Sequence, residues 1–316
     1  RFVPKDGPEP LPFKLARIAT LPVRIAAAPF QWGKPRDKRI SAALGALGPS
    51  YIKLGQFLAT RGDIIGPELQ GELSHLQDRM PPFGMDEARR AIEASLGGKL
   101  EDHFVEFGPP VAAASIAQVH KAVVVDGDER RTVAVKILRP GIEKRFQRDL
   151  DSYFFAARLV ERWHEPSRRL RPVAVVENLA RTTELEMDLR LEAAAMSEMA
   201  ENLNPDEGFR IPGVDWRRTS KRVLVTEWID GIPIGDKAGL KAAGFDIDTL
   251  GMTVIRSFLK HAMRDGFFHA DMHQGNLFVD KAGTIVAVDF GIMGRLGMRE
   301  RRFLAEILHG LITRDY

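Results

Sequence analysis

Apolar positions recur at helical spacing from residue 36 to residue 96, give way to short apolar runs between Phe104 and Leu138, and then return to helical spacing. The first block reads as two short helices over 36–62, parted at Gly48-Pro49. Helices follow over Pro67–Gln77 and Met85–Leu96, with a break at Pro81-Pro82. Within Ser50–Arg61, Ile52, Gln56 and Ala59 share one face, and Lys53, Phe57 and Thr60 share the next. Periodicity alone therefore assigns Lys53 and Gln56 to the surface. The middle block predicts a short strand Phe104–Phe107, a glycine-free loop from Val111 to Gln118, and strands Val119–Val125 and Val133–Leu138 joined by Asp126-Gly127-Asp128-Glu129. One long helix is predicted over 172–202. A strand beginning at Val223 leaves through Glu227-Trp228-Ile229-Asp230-Gly231, and a helix covers Leu250 to Arg264. A hairpin of Leu277–Val279 and Ile285–Val288 turns at Asp280-Lys281-Ala282-Gly283, and a helix spans Met298–Ile312.

The chemistry gathers around that hairpin. His269-Ala270-Asp271-Met272-His273-Gln274-Gly275-Asn276 runs into its first strand, and Asp289-Phe290-Gly291 follows its second. An Asp, an Asn five residues later and a second Asp after a short hairpin are what phosphoryl transfer from a nucleotide requires. Asp271 would orient or deprotonate an attacking hydroxyl, while Asn276 and Asp289 would hold Mg²⁺ or Mn²⁺ against the phosphates. His269 reads as a brace for the loop, and His273 has no assigned part. A polar hairpin on another α/β domain is the bland alternative; the order and spacing of the two motifs argue against it. Upstream, the strand ending Val133-Ala134-Val135-Lys136 matches a kinase nucleotide-binding lobe, whose strand lysine neutralises phosphates. That lysine needs a helix acid, and Glu184, Glu186, Asp188 and Glu192 all offer one. A solvated face suits Glu184 and suits Glu192 poorly, because Glu192 sits among small and apolar neighbours. In the kinase plan, backbone groups of Glu227, Trp228 and Ile229 form the hinge that hydrogen-bonds adenine.

Composition narrows the class. A chain of 316 residues, 44% hydrophobic, can bury a sizeable core in two lobes or domains. Its formal net charge of +3 carries no global polyanion signature, and no nucleic-acid partner is expected. Cysteine is absent, which removes disulfides and thiolate metal sites and suits a reducing compartment. No apolar run approaches the ~20 residues of a membrane-spanning helix. The chain opens on Arg1 and reads as part of a longer protein. Residues 11–34 carry Lys14, Arg17, Arg24 and Lys34 and no acid. They read either as a membrane-surface segment or as a packed helix with a solvated basic face, and the second reading is preferred.

The sequence resembles the ABC1 atypical kinases, also called the coenzyme Q8 or UbiB group, from about residue 40 onward. The carriers are Lys53-Leu54-Gly55-Gln56 with Arg61, Asp63, Leu73, Leu76, Asp78 and Pro81-Pro82, then Ala112-Ala113-Ala114-Ser115 and Lys136, then Glu186-Met187-Asp188 and Glu192, and finally the two motifs of the hairpin. The resemblance implies an α+β, bilobal protein-kinase-like fold with an N-terminal helical extension packed over the active site. Residues 1–100 would form that extension, 101–230 the N-lobe with the alanine-rich loop, and 231–316 the C-lobe. It makes Glu192 the partner of Lys136. It makes Lys53 and Gln56 a gate near Glu186 and Asp188 that blocks ordinary protein substrates. Ala112, Ala113, Ala114 and Ser115 become a phosphate loop whose grip differs from a glycine loop, since alanines do not sample positive φ cheaply. Many relatives carry glycine where Ala117 stands, so this loop departs from their pattern. ATP or ADP with Mg²⁺ would be the cofactors. The implied function is an atypical kinase or ATPase supporting ubiquinone synthesis. Its partners would be an anionic membrane surface, a phenolic or prenylated quinone precursor and quinone-biosynthesis proteins. The implied place is cytoplasmic and peripheral at an inner membrane, or the matrix side in a mitochondrion. A small-molecule kinase of the aminoglycoside or choline type, and a non-catalytic nucleotide-gated lipid-binding scaffold, are the competing readings.

Overall fold

The computed structural model describes residues 43–45, 47–74, 76, 80–203 and 208–315. The basic segment read in residues 11–34, and Asp78, lie outside them. The contacts group the chain into two compact units. One takes in the described residues up to Glu87 together with Ala112–Gln118 and Leu138–Met187; the other takes in Ala88–Val111, Val119–Ile137 and Asp188 onward. Residues 138–187 thus belong with the N-terminal helices, although the sequence reading places them in the N-lobe.

The first unit is helical. Helices Pro49–Ala59, Gly62–Ile65 and Pro67–Ser74 are joined by the long helix Ile142–Trp163, a 3₁₀ turn Glu165–Leu170 and helix Pro172–Glu186. Gly48, at φ 114°, parts the first helix from what precedes it, and Pro49 starts it at a position where no backbone donor is lost. The core packs Leu44, Leu47, Tyr51, Leu73, Leu150, Tyr153, Ala157, Val176 and Leu179. Tyr51 meets Tyr153 edge-on with ring centres 5.5 Å apart. Each fully buried leucine contributes about 2 kcal/mol by area, and Leu179→Ala should cost about 2–5 kcal/mol. Two hydrogen bonds tie the first helix region to the long helix far along the chain: Ser50 Oγ donates to Asp149, and the Arg145 guanidinium donates to the Leu47 carbonyl at 3.0 Å. Gly55 is needed for space. A Cβ there would come within 2.4 Å of Leu76 Cδ1 and 2.8 Å of Leu44 Cδ1.

The predicted 172–202 helix is in fact two, Pro172–Glu186 and Leu189–Leu203. The break falls at Met187-Asp188, where the two units part. The Asp188 carboxylate accepts the backbone N–H of Arg190 at 3.2 Å, as aspartate does at a helix start. An Asp surrounded by good helix formers reads as helix interior, so sequence pattern did not expose the cap.

The second unit is built on a four-stranded sheet in the order β1-β2-β3-β5: Glu106–Ala113, Ala117–Asp126, Glu129–Leu138 and Val223–Glu227. The expected strand Phe104–Phe107 lies further along, because Leu100–His103 forms a helical turn that Phe104 ends. Pro109 and Pro110 lie beyond the expected strand, yet they sit inside β1. An edge strand has unpaired positions that can lack a donor. On β2 and β3 one face is closed, with His120, Ala122, Val124, Val133, Val135 and Ile137 buried. The other face, bearing Val119, Lys121, Val123, Thr132, Ala134 and Lys136, is only partly covered. Arg218, with 6% of its side chain exposed, ties the β2–β3 hairpin down: it donates to Asp126 and Asp215, each at 2.7 Å, and to the His103 carbonyl at 3.1 Å. Two small sheets follow, β4-β9-β8-β6 (Phe209–Arg210, Ile285–Ala287, Leu277–Val279, Ile232–Pro233) and β10-β7 (Met293–Arg295, Phe267–His269), with helices Ile247–Lys260 and Met298–Thr313.

Candidate active site

Strand alternation turns Lys136 onto the open face of the sheet, next to β5 where it opposes Leu224. The helix Leu189–Leu203 brings Glu192 to it. Lys136 Nζ lies 2.9 Å from both Glu192 oxygens and 3.0 Å from Asp289 Oδ1. Only 8% of the Glu192 side chain is exposed, and it also accepts the Phe290 backbone N–H. Burial disfavours the Lys136 charge, but the carboxylates of Asp289 and Glu192 outweigh it and hold the ammonium's pKa above the ordinary lysine value. Asp289 has φ 61°, a left-handed conformation rare outside glycine and tolerated best by Asn and Asp.

The loop between β7 and β8 is held by its own residues. The Asp271 backbone N–H donates to His269 Nδ1 at 3.1 Å, so the ring proton sits on Nε2, facing the Val288 carbonyl at 3.4 Å. Burial pushes the pKa of His269 down, and its ring packs edge-on against Phe290 at 5.0 Å. The brace expected of it is what the geometry shows. Asn276 donates from Nδ2 to the Asp271 carbonyl at 3.1 Å, and its own carbonyl accepts the Val288 N–H at 2.8 Å. Asp271 keeps 48% of its side chain exposed. His273, given no part by sequence, accepts the Gly275 N–H at Nδ1 and sets Nε2 3.8 Å from Asp271 Oδ2.

At the hinge, two expected donors are spent within the protein. Glu227 N–H goes to the Gly213 carbonyl at 2.8 Å and Trp228 N–H to the Thr132 carbonyl at 3.2 Å. The Glu227 carboxylate is gripped by Arg210 at 2.9 and 3.0 Å, a pairing nothing in the sequence announced. A cavity of about 440 Å³ opens beside these residues, lined by Lys121, Arg131, Thr132, Glu227, Trp228 and Asp230. That is ample for a nucleobase. Lys121 Nζ lies 4.8 Å from the Trp228 ring centre. This cavity marks the hinge end of the open face and does not reach Lys136.

The alanine loop is shorter than expected: β1 runs through Ala112 and Ala113, and β2 begins at Ala117. Ala114 N–H closes the turn onto the Ala117 carbonyl at 2.8 Å, with Ser115 fully buried inside. Arg139, which the sequence reading passed over, donates from Nε and Nη2 to the Ala114 carbonyl at 3.0 and 2.9 Å, and to the Pro81 carbonyl at 2.9 Å. Met80 N–H takes the Ala113 carbonyl at 3.1 Å. The loop is therefore pinned from outside. In the same unit Lys53 Nζ meets Glu186 Oε2 at 2.8 Å, with 17% and 11% of the side chains exposed. Gln56 lies half-buried one turn on. Asp188, grouped with Glu186 as a gate acid, is instead clasped by the Arg190 guanidinium at 2.6 and 2.9 Å, which holds its carboxyl below the usual range.

The profile of the ABC1 atypical kinase-like domain matches residues 75–316. A "Probable protein kinase UbiB" of Marinobacter nauticus is 42% identical over 286 residues, which cover 89% of this chain and 52% of that protein. Another of the same name, from Aeromonas hydrophila, is 40% identical over 95% of this chain and 57% of its own length. The chain thus spans about half the length of the curated relatives it matches. Among solved structures, the complex of Rv3197 with erythromycin from Mycobacterium tuberculosis superposes with a TM-score of 0.54 at 27% identity, covering 89% of this chain and 68% of that one. The fold is kinase-like.

Proposed function

The chain belongs to the ABC1 atypical kinase-like family, and from that premise we propose that it binds a magnesium nucleotide and turns over its terminal phosphate in support of ubiquinone or related isoprenoid-quinone synthesis. The observation that carries the reading is one ammonium, Lys136, shared between Glu192 and Asp289. Nucleotide phosphate brought among the carboxylates of Glu192, Asp271 and Asp289 calls for a divalent cation between the like charges. The donor set fits that need. Asp289 and Asn276 supply one carboxylate and one amide oxygen. That is too few for a protein-built cage and suits Mg²⁺, which takes the rest of its shell from phosphates and water. Bound Mg²⁺-nucleotide would supply the transferable phosphoryl group, with the metal neutralising charge on its oxygens.

In this reading Lys136 holds phosphate oxygens, Glu192 keeps the lysine in place, and Asp289 and Asn276 hold the metal. Asp271 orients the attacking oxygen, braced by His269. The hinge carbonyls, Ile229 and the cavity beside Trp228 take the base, and the turn from Ala112 to Ser115 covers phosphate. Lys53 and Gln56 serve as the gate that restrains ordinary protein phosphorylation, supported by the ion pair that ties their helix to Glu186. The acceptor side would be served by a phenolic or prenylated quinone precursor.

Asp289→Asn tests the metal arm. Nucleotide with Mg²⁺ should raise the melting temperature of the parent, and the Mg²⁺-dependent part of that rise should vanish in the variant. An unchanged rise removes Asp289 from the site. Phosphate release from ATP, measured with and without vesicles bearing a quinone-precursor-like phenol, separates a catalyst from a nucleotide-gated scaffold.

A further inference from the structure

We infer that Arg295 is a positioning residue, which holds the helix of Glu192 in register with Asp289. The inference rests on the nucleotide reading and adds a residue to it. The two elements that meet at Lys136 meet again six residues further along each: Glu192 is followed by Glu198, and Asp289 by Arg295. The Arg295 guanidinium grips both Glu198 oxygens, Nη1 to Oε1 at 2.8 Å and Nη2 to Oε2 at 2.5 Å. A planar fork on a carboxylate fixes orientation as well as distance. Arg295 also opposes Phe267 across the two-stranded sheet and lies 4.3 Å from that ring centre. The strand Phe267–His269 leads directly into the loop of Asp271. From the segment that starts at Asp289, one guanidinium thus touches the helix that carries Glu192 and the strand that delivers Asp271.

The helix Leu189–Leu203 needs such a tie. It starts at the Met187-Asp188 break, and it buries Leu189, Ala193, Met196, Met199 and Leu203. Apolar contact is non-directional and methionines adapt to small shifts, so this packing fixes sliding and rotation of the helix only weakly. Polar ties set them instead. The Phe290 N–H reaches Glu192 near the helix start, and Arg295 reaches Glu198 beyond its middle. Arg264 donates to the Asn202 carbonyl at 3.0 Å in the last turn, where the helix itself supplies no donor. All three donors lie between residues 264 and 295, the stretch that holds the Asp271 loop and Asp289. Arg295 and Glu198 keep 66% and 40% of their side chains exposed, so water screens the pair and it adds little to folding stability. Its use lies in placement. A slip of about 1 Å would draw Glu192 from Lys136 while Asp289 stayed, and misplacement on that scale costs catalysis far more than stability.

Arg295→Gln should lower kcat for phosphate release from Mg²⁺-ATP by about tenfold or more, while its melting temperature stays within about 2 °C of the parent. Glu198→Arg should do the same, and combining it with Arg295→Glu should recover most of the loss. Arg302→Gln removes another exposed ion pair, with Glu306 at 2.8 Å on the last helix, and should change neither readout. Amide hydrogen exchange reads the tie without nucleotide: exchange at Phe290 and along Leu189–Leu203 should quicken in Arg295→Gln. A parent that neither binds nor turns over Mg²⁺-nucleotide defeats the nucleotide reading, and exchange still shows whether Arg295 holds the helix. Four results overturn the inference itself. They are a parent-like kcat in Arg295→Gln, a melting temperature that falls in step with kcat, a charge swap without recovery, and exchange unchanged at Phe290 and through the helix.

Discussion

Two half-buried lysines, one in each unit, meet a glutamate on a helix, and they differ in what surrounds the pair. Lys53 faces Glu186 at 2.8 Å, charge for charge. Lys136 faces three oxygens of two carboxylates within 3.0 Å, and Glu192 is the less exposed of the two glutamates. The first pair sets one ammonium against one carboxylate and can act as a tie between helices. The second gathers a strand lysine, a helix glutamate and the aspartate that follows the hairpin around one ammonium on the open face of a sheet. Grouped titratable side chains of that kind mark a candidate ligand-binding site.

The comparison breaks most sharply at Lys136. Lys136→Met should lower phosphate release by ~10²–10³-fold and, by leaving Glu192 buried and unpaired, should destabilise the fold by about 3 kcal/mol. Adding Glu192→Gln should restore much of the stability and none of the activity, because the two act as one unit. Additive losses in activity would assign Glu192 elsewhere. Lys53→Met should cost less, about 1–3 kcal/mol in thermal or denaturant melting, with Glu186→Gln recovering most of it. If the pair is also a gate, Lys53→Met changes nucleotide preference or releases self-phosphorylation. Wild-type behaviour in both assays leaves the pair a structural tie.

Arg139→Met sharpens the contrast between the pinned alanine turn and a free loop. Losing the guanidinium that holds the Ala114 and Pro81 carbonyls should change ADP affinity more than Ala113→Gly does, since external ties and not alanine stiffness set the turn. Equal effects would return the control to the alanines. The smallest effect lies away from both lysines, at Asp126. Hydrogen bonds from Arg218, then Arg131, hold its carboxyl well below the usual range in the folded chain. A depressed folded pKa adds stability above the ordinary carboxylate pKa of about 4, and that stability is lost as pH falls below it. Asp126→Asn should therefore melt lower at neutral pH, with a flatter decline below about pH 4. A parallel acid limb in parent and variant would show that the Arg218 network carries no linkage.

Some of this was legible in the linear chain because it is local. The order and spacing of His269 to Asn276 and Asp289 to Gly291 define a loop and a hairpin whatever packs around them. Strand alternation alone put Lys136 on the face opposite Val135. The family likeness then selected Glu192 from four candidate acids and linked Lys53 to Glu186. Other features depended on contacts between distant segments, which no local periodicity encodes. Arg139 reaches Ala114 across 25 residues and Arg210 reaches Glu227 across 17, and an arginine bound for a carbonyl looks the same in sequence as one bound for water. The helix break at Asp188 was hidden for a related reason. Aspartate caps a helix only if the chain turns there, and the turn was decided by Leu189 N–H pairing with the Lys221 carbonyl at 3.0 Å. Pro109 and Pro110 show the same limit. Proline forbids a backbone donor, but whether a donor is wanted depends on the strand lying at the sheet's edge. Residue type and spacing determined which chemistry this chain carries. Tertiary structure decided which charges are buried together, because burial is what turns a solvated acid into a partner.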